Sequence, residues 1–330
     1  MHCQRLAMML LAAPCLLAGC CWFSDDPGRP GVGLYIAFDS YRLGTGGSRD
    51  VYLYDRWTHS LVDLPGLNTA AYEGRPSITR DGDQIFFTSD RTGSAGGFDL
   101  YEYSMERHNV GTRPGLNGSG REFDAQKAAL AFRFWTVFAS DEMWTWDICV
   151  YDDRTRSRVD LGALNTSVFD EEKPGISDDS KHIVFQANGR PGSSAGGVDV
   201  YLYDVDAMGL VNTPGLNSPA DDRNPCISGD GRYIAFDSNR SAGGSNRALE
   251  ASDVYVYDLA AMALVTPSPW NSAADDYWPH LNIDGSLMTF ASDRPGGEGA
   301  ADIYLYRFFG GFIDLPGLNS PQIDENGWLQ

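Results

Sequence analysis

The sequence predicts an all-β protein, a six-bladed β-propeller built from four-stranded antiparallel blades. One pattern recurs six times: a strand that alternates around Phe, a strand that begins with Asp and contains Tyr, and a turn that ends in Asn. A period of about 50 residues, made of short strands and Gly/Pro/Asn turns, is typical of propellers with one blade per repeat. The Asp that opens the second strand marks the six copies: Asp50, Asp99, Asp147, Asp199, Asp253 and Asp302.

Each part of the pattern has a structural reason. The Phe strand, such as YIAFDS at 35–40, alternates apolar residues with period 2, which suits a strand packed between neighbouring blades. The Asn usually follows Pro-Gly, and we expect its side chain to bond its own backbone in that turn. A further strand is predicted to open at Pro76, Pro174, Pro225 and Pro279, and Asp-Gly pairs such as Asp81-Gly82 predict the hairpin that joins it to the Phe strand.

The ends of the chain indicate how the ring closes. The first repeat lacks the strand that precedes the Phe strand elsewhere, and the C-terminal segment 319–330 aligns with 217–228, which contains that strand. We therefore predict that Trp328 to Gln330 complete the blade formed by residues 33–68. Such pairing removes the exposed strand edges of an open array. One propeller domain is predicted over 33–330.

The N-terminus is predicted to be an export signal covering residues 1–19. Its apolar run, Leu6 to Leu17, is short for a membrane span and is followed by Ala-Gly-Cys. Leu-Ala-Gly before Cys20 resembles the lipobox of bacterial lipoproteins, which implies cleavage before Cys20 and a lipid on its sulfur. Residues 20–32 are then the lipidated Cys and a tether. The alternative is an ordinary signal peptide with a chance cysteine.

The charge restricts the partners. The chain has a formal net charge of −20 and only three lysines, so it repels nucleic acid and anionic lipid headgroups. We expect no nucleic-acid partner, contact with a membrane only through the N-terminal lipid, and a monomer. The His and Cys residues show no metal-ligand spacing, and no cofactor is predicted. Calcium remains open as a ligand of the Gly-Asp loops at 96–99 and 196–199.

Carboxylates recur at one position relative to the repeat Asn, five residues after it. These six residues are Glu73, Glu122, Asp170, Asp222, Asp276 and Asp324.

An arginine follows the Phe strand in five repeats, and Glu142 takes its place in the third. In an antiparallel meander the arginine, the strand-opening Asp and the carboxylate meet at one edge of the blade. Two interpretations stay open: Arg–carboxylate networks that pin the loops, or an acidic ring that binds a cation or a basic partner. The arginines are Arg42, Arg91, Arg190, Arg240 and Arg294.

Two repeats depart from the pattern on this face. Repeat three has the shortest loop, with Trp144 and Trp146, and repeat five has the longest, from Ser241 to Ser252. Loops of unequal length on a rigid scaffold are where binding usually resides. The two tryptophans either anchor a partner or fill the gap left by a short loop. Together with the six carboxylates they form the candidate binding face.

The repeats resemble those of TolB-type propellers, as in SDRPGG at 292–297 and DIYLY at 302–306. The resemblance covers 33–330 and implies a protein-binding propeller in the bacterial cell envelope. TolB is a periplasmic protein of the Tol–Pal system with a separate domain ahead of its propeller, and a short tether stands in that place here. Similar repeats also occur in pectic-oligosaccharide lyases.

The sequence therefore predicts a lipid-anchored, non-catalytic envelope propeller that acts as a protein-binding or scaffolding module. We expect it at the outer membrane, facing the periplasm or the cell surface. Gly192–Gly196 matches a G-x-S-x-G nucleophile motif but lies between two strands with no helix to follow, which argues against a hydrolase. The alternative function is a carbohydrate-active, lyase-like or calcium-dependent propeller.

Overall fold

A computed structural model describes residues 34–42, 49–93, 96–128, 133–190, 197–240 and 251–330. The predictions for the signal peptide, Cys20, the tether, Gly192–Gly196 and most of the Ser241 to Ser252 loop lie outside these residues. The described residues form six separate four-stranded antiparallel sheets and one 3-10 helix, Gly162–Leu164. The predicted fold class is confirmed.

The strands are numbered β1 to β24 in chain order, and each blade is given from its inner to its outer strand. Blade 1 contains β24 (Asp324–Leu329), β1 (Tyr35–Ser40), β2 (Asp50–Asp55) and β3 (Ser60–Val62). Blade 2 contains β4 (Glu73–Ile78), β5 (Gln84–Ser89), β6 (Asp99–Ser104) and β7 (Asn109–Gly111). Blade 3 contains β8 (Glu122–Lys127), β9 (Trp135–Ser140), β10 (Asp147–Asp152) and β11 (Ser157–Val159).

The remaining three blades repeat this order. Blade 4 contains β12 (Glu171–Ile176), β13 (His182–Asn188), β14 (Val198–Asp204) and β15 (Gly209–Leu210). Blade 5 contains β16 (Asp222–Ile227), β17 (Tyr233–Ser238), β18 (Asp253–Asp258) and β19 (Ala263–Leu264). Blade 6 contains β20 (Asp276–Leu281), β21 (Leu287–Ser292), β22 (Asp302–Arg307) and β23 (Gly311–Ile313).

The ring closes through the C-terminus, as predicted. Strand β24 pairs with β1 from Ile36 opposite Leu329 to Ser40 opposite Asp324, so the closing strand is longer than the predicted Trp328 to Gln330. The Gln330 backbone N–H donates to the Tyr35 carbonyl at 3.1 Å. Its side-chain amide donates to the Arg80 carbonyl of blade 2 at 2.9 Å, which ties the chain end to the next blade.

The blades are joined by apolar packing and by tyrosine hydroxyls. The repeated Phe side chains are fully buried, as with Phe87 and Phe138. A Tyr of the third strand reaches the preceding blade: the Tyr151 hydroxyl donates to the Pro114 carbonyl at 2.9 Å. The core is thus distributed between neighbouring blades, as the alternating strands predict.

The repeat Asn has a different partner from the one expected. The Asn68 amide accepts from the Val51 N–H at 2.9 Å and donates to the Val51 carbonyl at 2.8 Å, 17 residues earlier in the chain. The turn places Asn68 beside the start of β2, the third strand of blade 1. Its side chain therefore extends the hydrogen-bond ladder along the edge of β2. The same pair of bonds is made by Asn117, Asn165, Asn217, Asn271 and Asn319.

Every inner strand contains a β-bulge that the sequence did not predict. The strand begins at the buried carboxylate, three residues before the Pro proposed as its start in blades 2, 4, 5 and 6, and the bulge residue between them has a positive φ. Such φ values are uncommon for non-glycine residues. At the bulge, backbone N–H groups donate to the preceding blade, as from Arg75 to Asp39 at 2.7 Å and from Trp278 to Asp237 at 3.0 Å. We call the six bulge residues the channel ring: Arg75, Asp124, Lys173, Asn224, Trp278 and Asn326, with φ from 50° to 57°.

Candidate binding face

The recurring arginine and carboxylate form a buried network in each of five blades. In blade 2 the Arg91 guanidinium donates to Glu73 at 3.0 Å and to the Leu67 carbonyl of blade 1 at 2.7 Å. It also lies over the Phe87 and Tyr101 rings, with centroid distances of 5.0 and 4.8 Å. One side chain therefore joins an inner strand, two rings and the neighbouring blade.

The other four arginines repeat these contacts. Arg42 pairs with Asp324 and Arg294 with Asp276, both at 2.6 Å, and Arg190 pairs with Glu171 at 3.2 Å. Every carboxylate in these pairs is fully buried. We call the face that carries Arg42, Arg91, Arg190, Arg240 and Arg294 the arginine face. Its carboxylates hold the scaffold together, which is the first of the two interpretations that the sequence left open.

Blade 4 requires a correction to the predicted set. The buried carboxylate there is Glu171, which binds Thr166 and Arg190, and Asp170 instead accepts the Trp146 N–H at 2.9 Å. The turn after Asn165 has one residue more than the other turns, so the carboxylate that enters the strand is displaced by one position. Asp170 remains exposed at the edge of the loop between blades 3 and 4.

Blade 3 replaces the missing arginine from another strand. Arg158, on the outer strand β11, lies over the Phe138 ring at 5.5 Å and pairs with Glu142 at 2.8 Å. Its guanidinium also reaches the Leu116 carbonyl of blade 2 at 3.4 Å. Leu116 corresponds in the repeat to Leu67, whose carbonyl Arg91 binds. Sequence reasoning missed Arg158, although none of the other outer strands contains an arginine.

Among the six buried carboxylates, with Glu171 as the blade 4 member, only Glu122 makes no ion pair with an arginine of the described residues. The Gly118 N–H and the Ser140 hydroxyl both donate to its Oε1 at 3.1 Å. Its Oε2 is buried and has no hydrogen-bond partner among the residues that the structure describes. Burial raises the pKa of Glu122 to about 7. The carboxylate network is therefore weakest in blade 3.

The two tryptophans of blade 3 have different surroundings. Trp146 packs on Phe123, with ring centroids 5.6 Å apart, and Arg121 lies over its ring at 5.1 Å. Trp144 is completely exposed, next to Met143, which is 70% exposed. Trp144 has a φ of 78°, a conformation that is strained for a bulky residue. Trp146 thus fills space beneath the loop, whereas Trp144 projects from it.

The inner strands enclose a central channel behind this face. All six residues of the channel ring line its cavity. A second, smaller cavity continues towards the opposite face, and His280 and Trp328 line both cavities. Within the described ranges no group of three or more His, Cys, Asp or Glu residues is placed to hold a metal ion.

The described part of the chain likewise contains no helix that could span a membrane.

The fold and this face define the class of protein: a closed six-bladed propeller with an arginine-supported face and an irregular third blade. Solved structures of the same fold include TolB from Acinetobacter baumannii, 14% identical, with a TM-score of 0.59 over 88% of this chain and 66% of that protein. A putative TolB from Agrobacterium tumefaciens is 14% identical, with a TM-score of 0.58 over 89% of this chain and 90% of that protein. Hydrazine synthase from Kuenenia stuttgartiensis is 12% identical, with a TM-score of 0.62 over 91% of this chain and 47% of that protein.

At these identities the likeness shows the fold alone. The chain covers 66% of the length of the Acinetobacter protein, just under two thirds. No family model matches the sequence, and no curated protein matches it at a significant level.

Proposed function

We propose that this chain is a lipid-anchored, non-catalytic propeller of the bacterial cell envelope. It binds another envelope protein through the part of the arginine face that blade 3 contributes. The observation that carries this proposal is Trp144, completely exposed and strained on a short loop. Exposed aromatic residues are enriched among the residues that dominate protein–protein binding energy.

The neighbourhood of Trp144 supports an anchor on a firm base. The Trp146 N–H donates to Asp170 at 2.9 Å, and Arg121 pairs with Asp141 at 2.7 Å on the other side of the loop. These contacts hold the loop on both sides, so little conformational freedom is lost when a partner covers Trp144. The TolB-like fold fits an envelope scaffold, and the lipobox at Cys20 fits attachment to a membrane.

Replacement of Trp144 by Ala is expected to weaken capture of the envelope partner by about 2 kcal/mol, roughly 30-fold, if this side chain is the anchor. Its side chain is completely exposed among the described residues, so the melting temperature should stay unchanged. Affinity capture from envelope extracts, quantified by mass spectrometry and compared with thermal melts, measures both. Trp57→Ala is the matched control, because Trp57 is 59% exposed in an outer hairpin of blade 1.

Trp146→Ala should behave differently from Trp144→Ala. It removes the contact with Phe123 and the ring beneath Arg121, so we expect a lower melting temperature. A protein that both Trp variants and the Trp57→Ala control retain equally would contradict the proposed site. A protein lost only with Trp57→Ala would place the binding site in blade 1.

Replacement of Cys20 by Ser is expected to abolish both lipid attachment and cleavage by the lipoprotein signal peptidase, because the modified sulfur is lost. Metabolic labelling with a fatty acid and the mobility of the precursor measure the two events. Cys21→Ser is the matched control and should retain the label. A labelled Cys20→Ser protein would show that the anchor is another residue.

A further inference from the structure

We propose that the face opposite the arginine face lies on the bilayer surface, with the Trp57 and Phe309 side chains inserted among the lipid headgroups. The inference rests on the lipid anchor at Cys20 in the proposed function and adds the orientation of the propeller on the membrane. The sequence alone predicted membrane contact only through the lipid. Three observations carry the proposal: where the chain enters the fold, the length of the tether, and the exposed apolar side chains of this face.

The described chain enters the fold on the face opposite the arginine face. Strand β1 begins at Tyr35 and ends near Arg42 of the arginine face, so its first residue lies at the opposite edge of blade 1. Strand β2 returns antiparallel, and the hairpin that follows it therefore lies at the same edge as Tyr35. The N–H of Arg56 in this hairpin donates to the Leu34 carbonyl at 2.9 Å. The N-terminal segment thus joins the fold beside Trp57.

The length of the tether favours the same face. Residues 20–33 connect the predicted lipid site to Leu34 and span at most about 50 Å when fully extended. A six-residue strand such as β1 is about 20 Å long at a rise of roughly 3.3 Å per residue. With the arginine face on the membrane, the tether would have to run the height of a blade before it reached the bilayer. With the opposite face on the membrane, the tether starts at the bilayer surface and loses the least conformational freedom.

Exposed apolar side chains are spread around this face. We call it the hairpin face, because it carries the hairpins between the third and outer strands, such as 55–60 and 307–311. Large apolar side chains are exposed on it in blades 1, 3, 4, 5 and 6: Trp57, Phe134, Met208, Met262 and Phe309. On the arginine face, by contrast, Met143, Trp144 and Val168 are grouped in blade 3 and the loop that follows it. Exposed apolar residues distributed over several blades fit an extended flat surface such as a bilayer.

Trp57 and Phe309 both stand on a firm base. The Asp55 carboxylate accepts the Trp57 N–H at 2.7 Å within the blade 1 hairpin. In blade 6, Phe308 packs edge-on against Trp270, with ring centroids 5.3 Å apart, and the adjacent Phe309 is completely exposed. Blades 1 and 6 share a buried cluster, so the two aromatic residues lie in one sector of the ring, near the entry point of the chain. Aromatic rings are enriched at membrane interfaces, and rings held in this way lose little freedom when a bilayer covers them.

The charges of the hairpin face determine the kind of lipid. Arg56 and Arg307 lie in the hairpins of blades 1 and 6, but Asp83, Asp179 and Asp206 lie on other hairpins of the same face. The face as a whole therefore does not attract an anionic bilayer, and apolar insertion suits zwitterionic headgroups. The tether raises the local concentration of the face at the bilayer, so a contact too weak to hold a free protein becomes populated.

The test uses the lipidated full chain in phosphatidylcholine vesicles whose acyl chains carry bromine close to the headgroups, because bromine quenches the fluorescence of inserted tryptophan. Trp22 lies two residues after Cys20 and would report the tether, so every variant also carries Trp22→Phe. We expect lower emission than in vesicles without bromine. Trp57→Phe should reduce this quenching by about three-fold or more, whereas Trp144→Phe, on the arginine face, should leave it within about 20%.

A gain of signal separates insertion from loss of fold. Phe309→Trp, added to the protein that carries Trp57→Phe, should raise the quenching by about two-fold or more, because the new ring stands at the same surface. Val168→Trp is the matched control, since Val168 is exposed on the arginine face, and it should add no quenching. Thermal melts compare the stability of each variant with that of its parent.

Several results would overturn the proposal. Quenching that Trp57→Phe leaves unchanged, or that Trp144→Phe removes, would place another surface on the membrane. Protection of Trp57 from acrylamide in the absence of vesicles would mean that a second copy of the chain covers the hairpin face. A fatty-acid label separates the two proposals: an unlabelled Cys20 would overturn the anchor and this inference together. Labelled protein whose Trp57 is not quenched would overturn this inference alone.

Discussion

Deletion of Gly327–Gln330 is expected to lower the free energy of unfolding by on the order of 5 kcal/mol. The deletion removes the Trp328 ring, which lies tilted against His280 with ring centroids 3.7 Å apart, and Leu329 from a buried cluster between blades 1 and 6. It also removes the hydrogen bonds from Gln330 to Tyr35 and Arg80 and exposes the inner edge of β1. Urea denaturation followed by circular dichroism measures the loss.

A matched pair of leucines separates ring closure from general sensitivity. Leu329→Ala should cost about 2–4 kcal/mol, because Leu329 is buried between blades. Leu61→Ala, on the outer strand β3, should cost less than about 1 kcal/mol, because that side chain is 38% exposed. An unchanged urea midpoint after the deletion would mean that residues 327–330 contribute nothing to the stability of the ring.

Replacement of Glu122 by Gln is expected to stabilise the protein at pH 8 by about 3 kcal/mol. Burial raises the pKa of Glu122 from 4.5 to about 7, so the folded state disfavours its ionised form. Between these two pH values the folded state binds more protons than the unfolded state, and wild-type stability falls as the pH rises. The amide avoids this cost, so the advantage of Gln should diminish towards zero as the pH falls from 7 to 4.5.

Glu73→Gln is the control for this prediction. Glu73 occupies the same position in blade 2, but Arg91 donates to it at 3.0 Å. Its removal leaves a largely buried guanidinium without its carboxylate, and we expect a loss of about 3 kcal/mol at pH 8. Opposite signs for the two variants in urea denaturation at pH 8, with most of the advantage of Glu122→Gln lost at pH 5, would confirm that blade 3 lacks the network. Equal destabilisation by both would show that Arg158 serves Glu122 as Arg91 serves Glu73.

The repeated residues made most of the fold predictable. Phe38 and its five equivalents, the strand-opening Asp residues and the Asn-ended turns each report a local preference that recurs at the period of one blade. Closure was predictable because the first repeat lacks one strand and the segment 319–330 aligns with 217–228, which contains that strand. Both observations come from counting strands along the sequence. The same periodicity predicted that the arginines and carboxylates share one face, since the ends of antiparallel strands alternate between two edges.

Residues that act across repeats were not predictable in this way. Arg158 lies on a different strand from the arginines it replaces, and only packing shows that its guanidinium reaches the Phe138 ring. The turn between Asn165 and Glu171 contains one extra residue, so the buried carboxylate lies one position later than in the other repeats. A fixed spacing of five residues from Asn165 therefore selected Asp170 instead of Glu171.

The sequence by itself determined the fold class, the number of blades, the closing segment and the face on which the charged loops gather. These properties depend on local periodicity, which neighbouring residues encode directly. Tertiary structure alone decided that Trp144 is exposed while Trp146 is packed, that Glu122 lacks an arginine, and that six bulges direct the channel ring inward. Each of these depends on which side chains from distant repeats occupy the same space, and burial and pairing are set only when the ring has closed.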